Sequence, residues 1–266
     1  MILRTMLIAT AFVALALPAV AADAKLTTAI AASSRAPENS ARDGARHPQA
    51  SLEFWGLKPG QTVVEISPGG GYWSEILAPY AKATGGKYFV AMGKPDARLP
   101  AKFADKAVYG DIHYTVFSKN SGPLAAPGSA DIVITARNIH NWIWETGEVD
   151  KAMKDFYAVL KPGGILAVEE HRADPRPDSD GAKSGYVATQ HVIDLATKAG
   201  FKLDAKSEIN ANPKDTKDHP FGVWTLPPSR QSSAGKDQPS PPGFSRAKYD
   251  AIGESDRMTL RFRKPA

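Results

Sequence analysis

Downstream of residue 60, short β-branched runs alternate with stretches whose apolar residues recur at helical spacing. Gln61 to Ile66 (QTVVEI) follows the turn Lys58-Pro59-Gly60 and predicts a first strand. Ser67-Pro68-Gly69-Gly70-Gly71 comes next, then a helix over Tyr72 to Ala83 with Trp73, Ile76, Leu77 and Tyr80 on one face. Lys87 to Ala91, Ala107 to Gly110 and Asp131 to Ala136 predict a second, third and fourth strand. A helix over Val149 to Leu160 leads through Lys161-Pro162-Gly163-Gly164 into a fifth strand, Ile165 to Glu169. Val187 to Ala199 predicts another helix capped by Gly200, Phe201 to Ser207 a sixth strand, and Met258 to Arg263 a closing edge strand. Alternating strands and helices predict an α/β fold: a doubly wound, Rossmann-like, mostly parallel seven-stranded sheet with helices on both faces and an antiparallel last strand. Ligands of such sheets bind at the carboxyl ends of the strands.

Three segments stand outside this alternation. Residues 1 to 22 carry one cation, Arg4, an apolar run from Met6 to Leu17, then Pro18 and small residues at 19, 21 and 22. This is the form of a cleaved secretory signal, with cleavage after Ala21 or Ala22; the run is shorter than the roughly 20 residues a bilayer span needs. The expectation is export to the periplasm with no stable membrane insertion. Residues 23 to 51 read as a helical arm, and residues 52 to 266 as one domain. Within that domain, 210 to 255 is a proline-rich insertion with Phe221, Val223, Trp224 and Leu226, read as a partly ordered flap whose aromatic patch packs on the domain.

Composition removes several chemistries. Among 266 residues there is no cysteine, which excludes disulfides, thiolate metal sites and cysteine nucleophiles and suits an oxidising compartment. The net charge of +5 is spread along the chain without a basic stripe, so no nucleic-acid partner is expected. The six histidines, at 47, 113, 140, 171, 191 and 219, lack paired ligand spacing, and no metal is expected.

The glycine loop carries the chemistry. A phosphate-binding P-loop would need lysine and serine or threonine after the last glycine, where Tyr72 and Trp73 stand. A dinucleotide fingerprint would need a third glycine at Ser74 and an acid ending the second strand, where the sequence reads Val90-Ala91-Met92-Gly93. Glu65 in VVEISPGGGYW, Asp111 in YGDI, Asp131 opening the fourth strand and LKPGG before the fifth resemble, in order and spacing, the motifs of class I S-adenosylmethionine-dependent methyltransferases. With KAGF at 198 to 201 and the ending DRMTLRFRKP, residues 50 to 266 look like the exported "predicted methyltransferase" family of bacteria.

That resemblance implies S-adenosylmethionine as cofactor, with Glu65, Ser67, Gly69 and Gly71 around its amino-acid part and Asp111 at the adenine amino group. Asp111 as a turn or cap residue, and Glu65 as an internally satisfied strand residue, are the competing readings. The acid that would grip the ribose is missing from the end of the second strand; Asp96 is the nearest one in sequence. After the fourth strand, Thr135-Ala-Arg-Asn-Ile-His-Asn-Trp142 offers His140 as a base, Asn138 to orient a small-molecule acceptor, and Trp142 or Trp144 as an apolar wall, each also readable as a structural residue. Glu169-Glu170-His171-Arg172 forms a second polar group on that edge, with His171 as a further catalytic candidate and a surface ion pair as the alternative. An exported methyltransferase is the leading expectation. A non-catalytic binding or envelope protein that keeps the fold is the second, and a nicotinamide-dependent oxidoreductase the third.

Overall fold

In the computed structural model, which describes residues 23–94, 97–144, 146–175 and 182–266, β1 (Thr62–Ile66) lies between β2 (Lys87–Met92) and β4 (Ala130–Ala136), parallel to both. Its alternation assigns each side chain a face: Val64 and Ile66 join one core, Val63 the other. β3 (Ile112–Val116) extends the sheet beyond β2, and β5 (Leu160–Ala173) beyond β4. β6 (Lys202–Ser207) and β7 (Arg257–Arg263) complete the order β3-β2-β1-β4-β5-β7-β6, with β7 antiparallel to both neighbours. Val187–Ala188 adds a short ladder to the end of β5. The chain turns from one direction of growth to the other between β1 and β4, which opens a crevice at their carboxyl ends.

Two differences from the sequence reading have local causes. Residues 107–109 of the segment read as the third strand belong to the short helix Lys106–Tyr109, whose first turn is capped by Asp105 accepting from the Ala107 amide and which ends at Gly110 with φ +68°. The strand itself is Ile112–Val116, whose residues are mostly half-buried at the sheet edge. Met258 to Arg263 does not close the edge. β7 runs between β5 and β6, with Met258, Leu260 and Phe262 in the core, and exposed β6 is the edge.

Residues 23–51 fold as α1 (Ala24–Ile30), α2 (Pro37–Ser40) and α3 (Asp43–Arg46), and continue into α4 (Pro48–Trp55) on the same face of the sheet as α5 (Ser74–Thr84). Asp23 caps α1 and also accepts from the Tyr80 hydroxyl of α5. Beneath the arm lies a buried ion-pair layer. Arg257 Nη1 of β7 reaches Glu169 of β5 at 2.9 Å and Glu254 at 2.8 Å, and Arg46 Nε reaches Glu254 at 3.0 Å. Removing one partner of such a layer strands a buried charge at a cost of about 3–5 kcal/mol, so it fixes the arm's position more than it adds stability. The opposite face carries α6 (Ile139–Trp144), α7 (Glu148–Val159) and α8 (Thr189–Lys198), packed through Trp142, Phe156 and Val192. No helix among the described residues is long and apolar enough to cross a membrane. The expected signal segment, residues 1 to 22, lies outside the described residues.

Candidate functional site

The loop after β1 is built on left-handed backbone. Ser67 adopts φ +48°, Gly69 +57° and Gly71 +88°, and the Ser67 amide donates to Ala91 O of β2. The glycines differ in purpose. A Cβ on Gly69 would meet nothing within 4 Å, so the backbone there is bare toward the cavity, whereas one on Gly71 would lie 2.8 Å from the Phe103 ring. Ser67, Gly69 and Gly70 line the cavity; Gly71 is absent from its lining and lets α5 start against Phe103.

Glu65 occupies a core position on β1 and lines the same cavity. Ser74 Oγ donates to its Oε2 at 2.8 Å, and the Tyr88 hydroxyl donates to the same oxygen. Ser74, the residue that breaks the dinucleotide fingerprint, therefore serves this carboxyl group. Burial outweighs both hydrogen bonds and pushes the Glu65 carboxyl up to about 7.

At the end of β4, Arg137 takes φ +61° and its amide donates to Glu169 O, which turns the chain into α6. Asn138 Nδ2 donates to Ile66 O at 3.0 Å and Thr135 Oγ1 at 3.2 Å, tying the β1 and β4 ends together. His140, buried on α6, sets Nδ1 2.9 Å from Glu170 Oε1, and its amide donates to Glu170 Oε2 at 3.3 Å. With Nδ1–H donated to the Glu170 carboxyl oxygen, Nε2 is the acceptor nitrogen of the ring and has no partner among the described residues. His171 Nδ1 lies 2.6 Å from Ser255 Oγ, and its ring centroid is 5.3 Å from that of His140. Burial, with the guanidinium charges of Arg137 and Arg257 adding to it, drives the His171 imidazole well below its usual range, so it is neutral. Glu170 and His171 do not form the surface ion pair that competed for them; Arg172 takes that role with Asp256 and Glu208.

These groups surround one cavity of about 280 Å³ at the carboxyl ends of β1, β4 and β5. The flap closes it with Val223, Trp224, Pro227, Pro228 and Ser229. Trp224 stands 5.9 Å from His140 and 5.6 Å from Trp144, the latter 46% exposed. Of these tryptophans Trp224 lines the cavity, Trp144 packs on Trp224 without reaching the lining, and Trp142 is core, packed on Phe117 and Phe156. Ligand atoms of His140, Glu170 and His171 converge within 4.8 Å, a grouping that spacing along the chain did not reveal. The guanidinium charges of Arg137 and Arg257 beside His171 work against a dication there.

Asp111 is elsewhere. It precedes β3 at the amino edge of the sheet, 73% exposed, and pairs with Lys106 at 2.7 Å, which holds its carboxyl below the usual range. The error follows from the third strand: with that strand at 112–116, the residue following it at the ligand edge is Phe117, buried against Trp142. Asp96 lies outside the described residues. Sequence reasoning also missed Asn39, Arg42 and Arg46, which reach the cavity from the arm, and Trp224 as a wall. Two arginines four residues apart before a strand-glycine unit carry no signal of their own; only the packing of α3 under the arm brings them to the crevice.

This architecture is the fold of the class I S-adenosylmethionine-dependent methyltransferases. A methyltransferase structure from Aquifex aeolicus superposes with a TM-score of 0.52 at 18% identity, over 64% of this chain and 87% of that one. The [4+2]-cyclase SpnF superposes at 0.57 and 15% identity over 91% and 92%. Phosphoethanolamine N-methyltransferase 2 of Haemonchus contortus, solved with S-adenosyl-L-methionine, gives 0.50 and 17% over 82% of this chain and 52% of that one. In sequence, the chain is similar to ubiquinone/menaquinone biosynthesis C-methyltransferases UbiE. That of Vibrio vulnificus strain YJ016 is 26% identical over 75% of this chain and 70% of its own. That of Hydrogenovibrio crunogenus is also 26% identical, and the match spans about half the length of that relative, 48% of each chain. No protein-family model matches the chain.

Proposed function

We propose that the protein is an S-adenosylmethionine-dependent methyltransferase acting on a small-molecule acceptor. The observation that carries the reading is the joining, in one cavity, of an open left-handed glycine loop with Glu65 on one side and a carboxylate-oriented histidine on the other. Glu65, Ser67, Gly69 and Gly70 fit the amino-acid end of the cofactor: bare backbone at Gly69 allows close approach, and the Glu65 carboxylate receives an ammonium group. The cofactor supplies an electrophilic methyl on a positively charged sulfur. The chain's own task is alignment and exclusion of water, by the flap residues Val223 and Trp224 over the cavity. His140 Nε2 takes the proton that the acceptor's nucleophilic atom gives up, and Glu170 steadies the resulting imidazolium. Asn138 keeps the β4 end at the correct distance from the loop.

Calorimetric titration with S-adenosylmethionine, S-adenosylhomocysteine and NAD tests this. Binding of the two sulfur ligands but not NAD is expected. No heat and no thermal shift with either sulfur ligand at millimolar concentration would overturn the reading. One observation favours the second reading, a ligand-binding protein without methyl transfer: Asp111, expected at the adenine amino group, lies away from the cavity and pairs with Lys106. Binding of S-adenosylhomocysteine without any loss of methyl from the methyl donor, across crude small-molecule extracts, would favour it. Export is part of the same proposal and rests on residues 1 to 22. An amino terminus at residue 22 or 23 in protein recovered from an envelope fraction supports it, and an intact Met1 there opposes it.

A further inference from the structure

One wall of the cavity is left unused by the chemistry above. Arg42 and Arg46 reach it from the arm and Arg137 from the end of β4. Arg46 is fully buried and spends its Nε on Glu254, at 3.1 and 3.0 Å, but Nη1 and Nη2 have no hydrogen-bond partner, and neither does Arg137 Nε. Buried guanidinium donors without partners are rare and mark a missing acceptor. Of the acids nearby, Glu254 is shared by Arg42, Arg46 and Arg257, and Glu169 gives Oε1 to Arg257 while its Oε2 is itself buried without a hydrogen-bond partner, so neither pairs with the free Nη atoms of Arg46. The Arg46 guanidinium lies 4.3 Å from the centroid of the Tyr72 ring, an arrangement in which a planar cation is held by its face while its N–H edge remains for a ligand. Paired N–H donors on one edge match the two oxygens of a carboxylate.

We propose that the acceptor is an organic acid with a planar apolar body, its carboxylate held by Arg46, Arg42 and Arg137 and its body against Trp224. The acid site stands on the arginines alone; its assignment to the methyl acceptor rests on the methyltransferase reading. Two carboxylates compete for the site, the acceptor's and the cofactor's own: Arg46 and Arg42 stand over Tyr72, which follows the glycine loop, and are also tied through Glu254 and Arg257 to Glu169 of β5, on the side of β1 where His140 and His171 stand. The second anchor, with Arg137 at the end of β4, is the ground for assigning the site to the acceptor, and the titration below distinguishes the two sources. A carboxylate fixed there places the acid's nucleophilic atom beside the base and gives the arm, which the sheet does not need for closure, a role in choosing substrate.

The full chain is titrated with benzoate, 4-hydroxybenzoate and indole-3-acetate, each beside its primary amide, with and without S-adenosylhomocysteine. At least one acid is expected to bind about tenfold or more tightly than its amide, as a charged hydrogen-bonded pair provides. Arg46→Met should abolish that preference and leave amide binding in place. Arg42→Gln, at a side chain 23% exposed and so tolerant of change, should reduce it in a protein that folds normally. Equal binding of acids and amides, or a preference that survives both substitutions, overturns the proposal. The same variants titrated with S-adenosylhomocysteine and with 5′-methylthioadenosine, which lacks the amino-acid part, distinguish the source of the carboxylate. Selective weakening of S-adenosylhomocysteine with acids unaffected would move the site to the cofactor and overturn its assignment to the acceptor. Acid binding without S-adenosylhomocysteine binding to the native chain would leave the acid site standing and sink the methyltransferase reading instead.

Discussion

Glu65 gives the sharpest physical prediction, because its raised carboxyl ties stability and ligand binding to the same proton. A carboxyl moved from 4.5 to about 7 by burial takes up a proton on folding between those pH values. Its contribution is fully present below pH 4.5 and is lost as pH rises through about 7. At 1.36 kcal/mol per unit the difference is about 3 kcal/mol, an upper figure for a group this buried. Groups such as Asp23 and Asp256, whose carboxyls are held low, act in the opposite sense, so the quantity to measure is the difference between the native chain and Glu65→Gln. Glutamine keeps an oxygen for Ser74 and Tyr88 but cannot ionise. Urea unfolding from pH 4 to pH 8.5 should show the variant gaining on the native chain by up to about 3 kcal/mol across that range. An ammonium group arriving beside Glu65 should expel the proton, so calorimetry of S-adenosylhomocysteine at pH 6 in buffers of different ionisation enthalpy should show proton release. Parallel stability curves for the two proteins would refute the assignment of the raised carboxyl to Glu65, and binding without proton release would separate that carboxyl from the ligand.

Other consequences follow from single residues. Gly71→Ala places a methyl 2.8 Å from the buried Phe103 ring at φ +88° and should destabilise by about 2–3 kcal/mol, while Gly69→Ala, with open space at its Cβ, should cost about 1 kcal/mol; urea midpoints decide. Asp111→Asn should leave S-adenosylhomocysteine affinity unchanged, and a tenfold loss would return the residue to the cofactor site. His140→Gln should lower turnover by about a hundredfold or more while cofactor affinity holds; unchanged turnover would make the histidine structural.

Much of this arrangement was legible because strand alternation and helical spacing are local properties. QTVVEI, DIVITA and the helix over 149 to 160 show their faces in sequence, and the glycine loop shows where β1 gives way to α5. What failed was decided by competition between neighbours. The segment 107–110 holds β-capable residues, but the Asp105 cap and Gly110 make most of it a helical turn, and that displacement carried Asp111 to the wrong edge. MTLRFR alternates as an edge strand would, and nothing within it reports that β6 lies outside it. The lining of the cavity was legible where it follows directly on a strand end, at Glu65, Ser67 and Gly69 for β1 and at His140 after β4. It was not legible where the arm and flap fold back over the crevice to supply Arg42, Arg46 and Trp224. Histidines 140 and 171 have no motif spacing between them, yet α6 and β5 bring their rings within 5.3 Å.

The central claim is that one crevice at the β1, β4 and β5 ends holds the methyl donor between the glycine loop and His140. A crystal structure of the chain with S-adenosylhomocysteine tests it directly. The ligand's amino-acid part is expected against Glu65 and Gly69, with its sulfur turned toward His140 Nε2. A ligand seated at the amino edge beside Lys106 and Asp111, or turned so that its sulfur faces away from His140, would contradict it.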